Sequence, residues 1–83
     1  MDNEKRLAVI GIIVSNRAES AAKVNEVLGS HGEMIVGRMG IPYKERKVSV
    51  ISVIADGTTD EIGALTGKLG NIPGIKVKVA LTY

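Results

Sequence analysis

Thr58 to Leu81, TTDEIGALTGKLGNIPGIKVKVAL, changes its apolar period once, and at that change the chain passes from helix to strand. Thr58 followed three places on by Glu61 is a capping-box pair, and Asp60 adds negative charge to the first turn. Ile62, Leu65, Leu69 and Ile72 then fall at helical spacing. Pro73-Gly74 breaks the helix, and Ile75, Val77, Val79 and Leu81 alternate with Lys76, Lys78 and Ala80, the period of a half-buried strand.

The first half of the chain repeats this plan. Arg6 to Val14 is rich in Ile and Val with no 3.6-residue gap, which predicts a strand apolar on both faces. Asn16 with Glu19 three places on predicts a second helix start, and Ala21, Val24, Val27 and Leu28 carry that helix until Gly29 and Gly32 end it. Glu33 to Pro42 is extended, Tyr43-Lys44-Glu45-Arg46 is a polar turn, and Val48 to Ala55 is a third strand closed by Asp56-Gly57. The order is β-α-β-β-α-β, an α+β ferredoxin-like sandwich. Right-handed crossovers give it the antiparallel sheet order 4-1-3-2 with both helices on one face. Composition supports that order: the two predicted central strands are apolar on both faces, with only Ser49 and Ser52 interrupting the second of them. The predicted edges carry Lys76 and Lys78 in one case and Gly37, Arg38, Gly40 and Pro42 in the other.

At 83 residues, 45% apolar and 24% charged, the sequence describes a single domain spanning residues 1–83. A domain of this size buries only about 60–65% of the surface its unfolded chain exposes. With no cysteine and one histidine, neither disulfides nor a metal cluster within one chain can supplement the core, which leaves association. The sheet face turned away from the helices still carries Val, Ile or Leu side chains from strands one and three. Four of them, fully buried, contribute about 6–12 kcal/mol. A homo-oligomer, dimer or tetramer, that covers this face or the strand edges is therefore expected.

The composition also excludes function classes. The only aromatics, Tyr43 and Tyr83, lie outside the central strands, so base stacking of the RNA-recognition kind has no platform. Ser15 has no histidine near it in sequence, and the carboxylates read as helix caps or solvated faces, so no catalytic residues are assigned and the chain is read as not an enzyme. His31, at the end of the first helix, suits the helix dipole better than a metal. A net charge of +2 without a Lys/Arg block does not call for nucleic acid, and the eight-residue apolar run Leu7–Val14 is neither a signal peptide nor a membrane span, so a cytoplasmic protein is expected. Gly63, Gly67 and Gly70 stripe the second helix, each costing roughly 1 kcal/mol against alanine. They permit either tight packing onto the first helix or another subunit, or approach of a small ligand to bare backbone.

Asp60 to Lys78 closely resembles the C-terminal half of the small proteins described as regulators of the iron-only hydrogenase system. Arg17 soon after the first strand, Val24-Asn25-Glu26-Val27-Leu28 and Arg38-Met39-Gly40-Ile41-Pro42 extend the likeness over nearly the whole chain. The resemblance implies an ACT-like domain, similar to the ligand-binding C-terminal domain of the nickel-responsive repressor, and a regulatory role in organisms with an iron-only hydrogenase. It further implies a small effector held between the loop after the first strand and a neighbouring subunit, at Ser15, Asn16 and Arg17. Arg17 would face a carboxylate, and the Gly63 and Gly67 backbone is a second candidate. The histidine and cysteine set that binds nickel is missing, and the five residues before the first strand are too few for a DNA-binding segment. Neither nickel sensing nor operator binding is therefore expected, and no cofactor. The competing expectation is a co-regulator module docking on a DNA-binding protein or a hydrogenase maturation factor.

Overall fold

The computed structural model describes residues 4–15 and 18–82. Six main elements follow the predicted order: β1 (Arg6–Ser15), α1 (Ala18–Ser30), β2 (Ile35–Tyr43), β3 (Val48–Gly57), α2 (Thr59–Gly70) and β4 (Ile75–Leu81). The sheet runs β2-β3-β1-β4 with every neighbouring pair antiparallel, which is the 4-1-3-2 order of the ferredoxin-like fold. The predicted cap Asn16 and its neighbour Arg17 lie outside the described residues.

The parity of each strand decides which side it gives to the helices. In β1, Ala8, Ile10, Ile12 and Val14 are buried; in β3, Ile51, Val53 and Ala55 are buried. These meet Val24 and Leu28 of α1 and Ile62, Leu65 and Leu69 of α2, one face of each helix, to form the core. The alternate residues of β1 and β3 point the other way and stay partly in water. The unbroken apolar runs thus belong to two half-buried strands rather than to strands covered on both sides.

Local chemistry sets the element ends. Thr58 Oγ1 accepts from the Glu61 backbone N–H at 3.1 Å, and Glu61 Oε1 accepts from the Thr58 backbone N–H at 2.8 Å, completing the capping box. These bonds to the Thr58 backbone and hydroxyl hold the Glu61 carboxyl below the usual carboxylate range. Helix α2 stops at Gly70, before Ile72: the Ile72 N–H reaches only three residues back, to the Leu69 carbonyl at 3.1 Å, and Pro73 has no N–H to carry the ladder on; Ile72 still reaches the core. A short 3-10 turn, Gly32–Met34, precedes β2 where sequence alone suggested extended chain, and it buries Met34. The His31 ring nitrogen Nδ1 lies 2.9 Å from the Val27 carbonyl, so the imidazole caps the end of α1.

Candidate functional site

The register of the sheet assembles the unpartnered face row by row. Ile54 of β3 sits opposite Val9 of β1, with Gly37 beyond it on β2 and Ala80 on β4. The next row is Met39, Ser52, Gly11 and Lys78, then Ile41, Val50, Ile13 and Lys76, and last Tyr43, Val48 and Ser15. Leu7, Val9, Ile13, Met39, Ile41, Tyr43, Val50 and Ile54 on this face each keep 36–63% of their surface in water. Isolated exposed apolar residues are ordinary, whereas a contiguous patch across three strands is not. The small Gly11–Ser52 pair divides it into an end at Val9 and Ile54 and an end at Ile13 and Val50.

The second end forms a groove of about 860 Å³. Its floor is Ile13, Val48 and Val50; one wall is the β2–β3 turn, through Tyr43 and Arg46, and the other is the start of β4, through Gly74 and Lys76. The turn is closed by Lys47 in the left-handed region at φ 55°, which brings Arg46 back over the end of the sheet.

The opposite wall is fixed by the Pro73-Gly74 break. Ser15 N–H donates to the Gly74 carbonyl at 2.9 Å, and the buried Ser20 hydroxyl of α1 donates to the Pro73 carbonyl at 2.8 Å. Gly74 has φ +83°, and a Cβ there would collide with Ser15 Oγ and lie 3.2 Å from Ser20 Oγ, so glycine is required twice over. Ser15 Oγ itself is buried with no hydrogen-bond partner among the described residues. A buried hydroxyl without a partner is uncommon and points to a group not yet accounted for.

Of the residues that sequence singled out, Ser15 is therefore in the groove wall, while Asn16 and Arg17 lie outside the described residues. Gly63 and Gly67 are on α2, on the opposite side of the sheet, and do not line the groove. Tight packing onto α1 does not explain their glycines, because a Cβ at Gly63, Gly67 or Gly70 would meet nothing within 4 Å. Tyr43, Arg46 and Lys76 were not singled out as a site. Each reads in sequence as turn or edge polarity, and only the register across four strands brings them to one floor.

The family described as "TM1266-like: Iron-only hydrogenase system regulator, putative" matches residues 6–79, from the first residue of β1 into β4. The chain belongs to this family. The uncharacterized protein TM1266 from Thermotoga maritima, a member by name, is 38% identical and superposes with a TM-score of 0.94 over 96% of this chain and 100% of that one. The C-terminal domain of the MgtC protein from Mycobacterium tuberculosis, 13% identical, has a TM-score of 0.73 over 99% of this chain and 93% of its own length. A formyltetrahydrofolate deformylase from Pseudomonas putida KT2440, 9% identical, matches with a TM-score of 0.64 over 92% of this chain and 29% of the enzyme. The last two show that the ferredoxin-like, ACT-like fold is shared, and nothing of activity. No functionally curated protein matches the sequence. Among the described residues, no helix of this member of the TM1266-like family is long and apolar enough to cross a membrane.

Proposed function

We propose that the chain is a non-enzymatic, cytoplasmic regulatory module of an iron-only hydrogenase system, a single ACT-like domain that associates with its own copies through the open sheet face. A small effector binds at the end of that face where β1 runs out. The exposed apolar patch carries the reading. Sealing it removes from water the equivalent of roughly three to four complete side chains per copy, about 5–10 kcal/mol. That is comparable to the whole stability of a small domain.

A second copy is the favoured cover because the face complements itself in charge. Asp56 lies opposite Leu7 at the Val9 end, whereas Lys76 and Lys78 run along β4 toward the other end. A two-fold axis near the Gly11–Ser52 row turns one copy's Asp56 toward its partner's lysines while Val9 and Ile54 meet apolar neighbours. The groove at Ile13 and Val50 belongs to the same face, so filling it shifts the association equilibrium, which is the coupling a regulator needs. Asn16 and Arg17, which follow Ser15 directly, complete the proposed effector site. The bare α2 surface at Gly63 and Gly67 is a second contact through which pairs become tetramers or a ligand approaches.

The regulatory reading is tested by deleting the gene in a cell that makes an iron-only hydrogenase and measuring hydrogenase transcript and activity. Complementation with the wild-type chain restores both, and complementation with Ile54→Asp, which spoils the open face, does not. Unchanged transcript and activity after deletion overturn the proposal. Restoration by an Ile54→Asp chain shown to be monomeric shifts the role to docking on a maturation factor or a DNA-binding protein.

A further inference from the structure

We infer that the groove selects a small carboxylate that has an apolar body and lacks an ammonium group, an inference that rests on the effector reading above. Three observations converge on that chemistry. The volume of about 860 Å³ lies within the roughly 300–1,000 Å³ typical of small-molecule sites. The floor is aliphatic, with Ile13 and Val50 directly paired across β1 and β3 and Val48 one row on, which suits a branched or aromatic body.

The rim is the third observation. Arg46 enters from the β2–β3 turn and Lys76 from β4, where it is paired with Ile13, so the two cations flank the apolar floor from opposite sides. Among the described residues, neither is in an ion pair and no Asp or Glu lines the groove. A carboxylate placed there gains charge-assisted hydrogen bonds from the guanidinium fork and the ammonium. An ammonium on the same ligand meets the like charge of Arg46 and Lys76 and finds no carboxylate among the described lining residues. The lining therefore discriminates against zwitterionic amino acids in favour of simple carboxylates of the same shape. The unpartnered Ser15 hydroxyl, buried beside Gly74, provides a further hydrogen bond for a ligand oxygen.

The test titrates the full chain, with methyl groups labelled for NMR, against 3-phenylpropanoate, L-phenylalanine and 3-phenylpropanamide, which share a body and differ in charge. The expected result is that 3-phenylpropanoate moves the methyl signals of Ile13, Val48 and Val50, and that both other probes bind at least about tenfold more weakly. Arg46→Gln and Lys76→Gln, both on exposed side chains, each weaken 3-phenylpropanoate by about tenfold while the chain keeps its fold, read from the methyl signals of the core residues Ile10 and Leu65. Equal or tighter binding of phenylalanine at the same methyls overturns the ligand class and leaves the effector site standing. Equal binding of the amide, or wild-type affinity in the Arg46→Gln, Lys76→Gln double variant, overturns the role of the two cations. If no probe moves the groove methyls, this inference and the effector site both fall.

Discussion

Replacing Ile54 by Asp is the sharpest perturbation of the open face. Ile54 keeps 46% of its surface exposed and Val9, its partner in register, 42%, at the end of the face away from the groove. The remaining exposed part of one isoleucine contributes about 0.7–1.4 kcal/mol when an opposing surface seals it, taking roughly 1.5–3 kcal/mol for the whole side chain. A two-fold pair contains the residue twice, so the apolar loss is about 1.4–2.8 kcal/mol per pair. Each introduced carboxylate must also leave water among the apolar neighbours that meet Val9 and Ile54, which adds at least as much again. The total is at least about 3 kcal/mol, a rise of more than about a hundredfold in the dissociation constant. Sedimentation velocity over roughly 1–100 μM, a span that brackets typical weak homodimers, is the assay. The wild type sediments as a pair or larger and Ile54→Asp as a single chain, whereas Ala22→Asp, on the exposed side of α1, keeps the wild-type mass. Equal masses for wild type and Ile54→Asp, with both folded, refute the reasoning.

Other expectations follow from the groove wall and the α2 cap. Gly74→Ala forces a side chain into the left-handed region and against Ser15 Oγ; it lowers stability by roughly 1–3 kcal/mol, read by urea denaturation, and no loss means that the Pro73-Gly74 turn is not held as described. Thr58→Ala removes the cap of α2 and costs about 0.5–2 kcal/mol in the same assay, with the loss expected mainly in faster unfolding of α2 amides by hydrogen exchange. The Glu61 carboxyl has its pKa lowered in the folded chain by its bonds to Thr58, so its stabilising contribution is complete above the unfolded carboxylate pKa and fades as pH falls through the lower folded value. Between about pH 6 and pH 3 the thermal midpoint of wild type therefore falls further than that of Glu61→Gln, and parallel curves contradict the cap assignment.

How far the sequence reached differs from residue to residue for physical reasons. Thr58 and Glu61 announced the start of α2 because a capping box is a local event, complete within four residues. The alternation of Ile75 to Leu81 announced β4, and its lysines fell on the open side because the antiparallel register pairs Lys76 with Ile13 and Lys78 with Gly11. The reading of β1 and β3 as covered on both faces went past what one chain does: Val9, Ile13, Val50 and Ile54 are apolar yet exposed. Their composition records a surface that a single chain leaves open. The glycines of α2 left their reason open in sequence, and the structure removes one of the readings: their surroundings within the chain are empty, so they do not serve packing onto α1.

The groove was the least accessible part. Arg46 and Lys76 are thirty positions apart in the chain, and neither has a local motif. They face one floor because β2–β3 is a hairpin, β3 pairs with β1, and β1 pairs with β4. Non-local register produces the site, whereas Ser15 is legible in sequence only through the family resemblance, which implies a ligand at the loop after the first strand; composition alone ends that strand at Val14, one residue short of its observed end.

The claim on which the rest depends is that open-face methyls of one copy touch those of another. Mixing chains carrying differently labelled methyl groups and recording isotope-filtered NOEs tests it directly. Contacts from Val9, Ile54 and Met39 across copies are the expected result. A spectrum with no cross-copy NOEs at millimolar concentration, or with contacts only from the α1 and α2 surface, contradicts it.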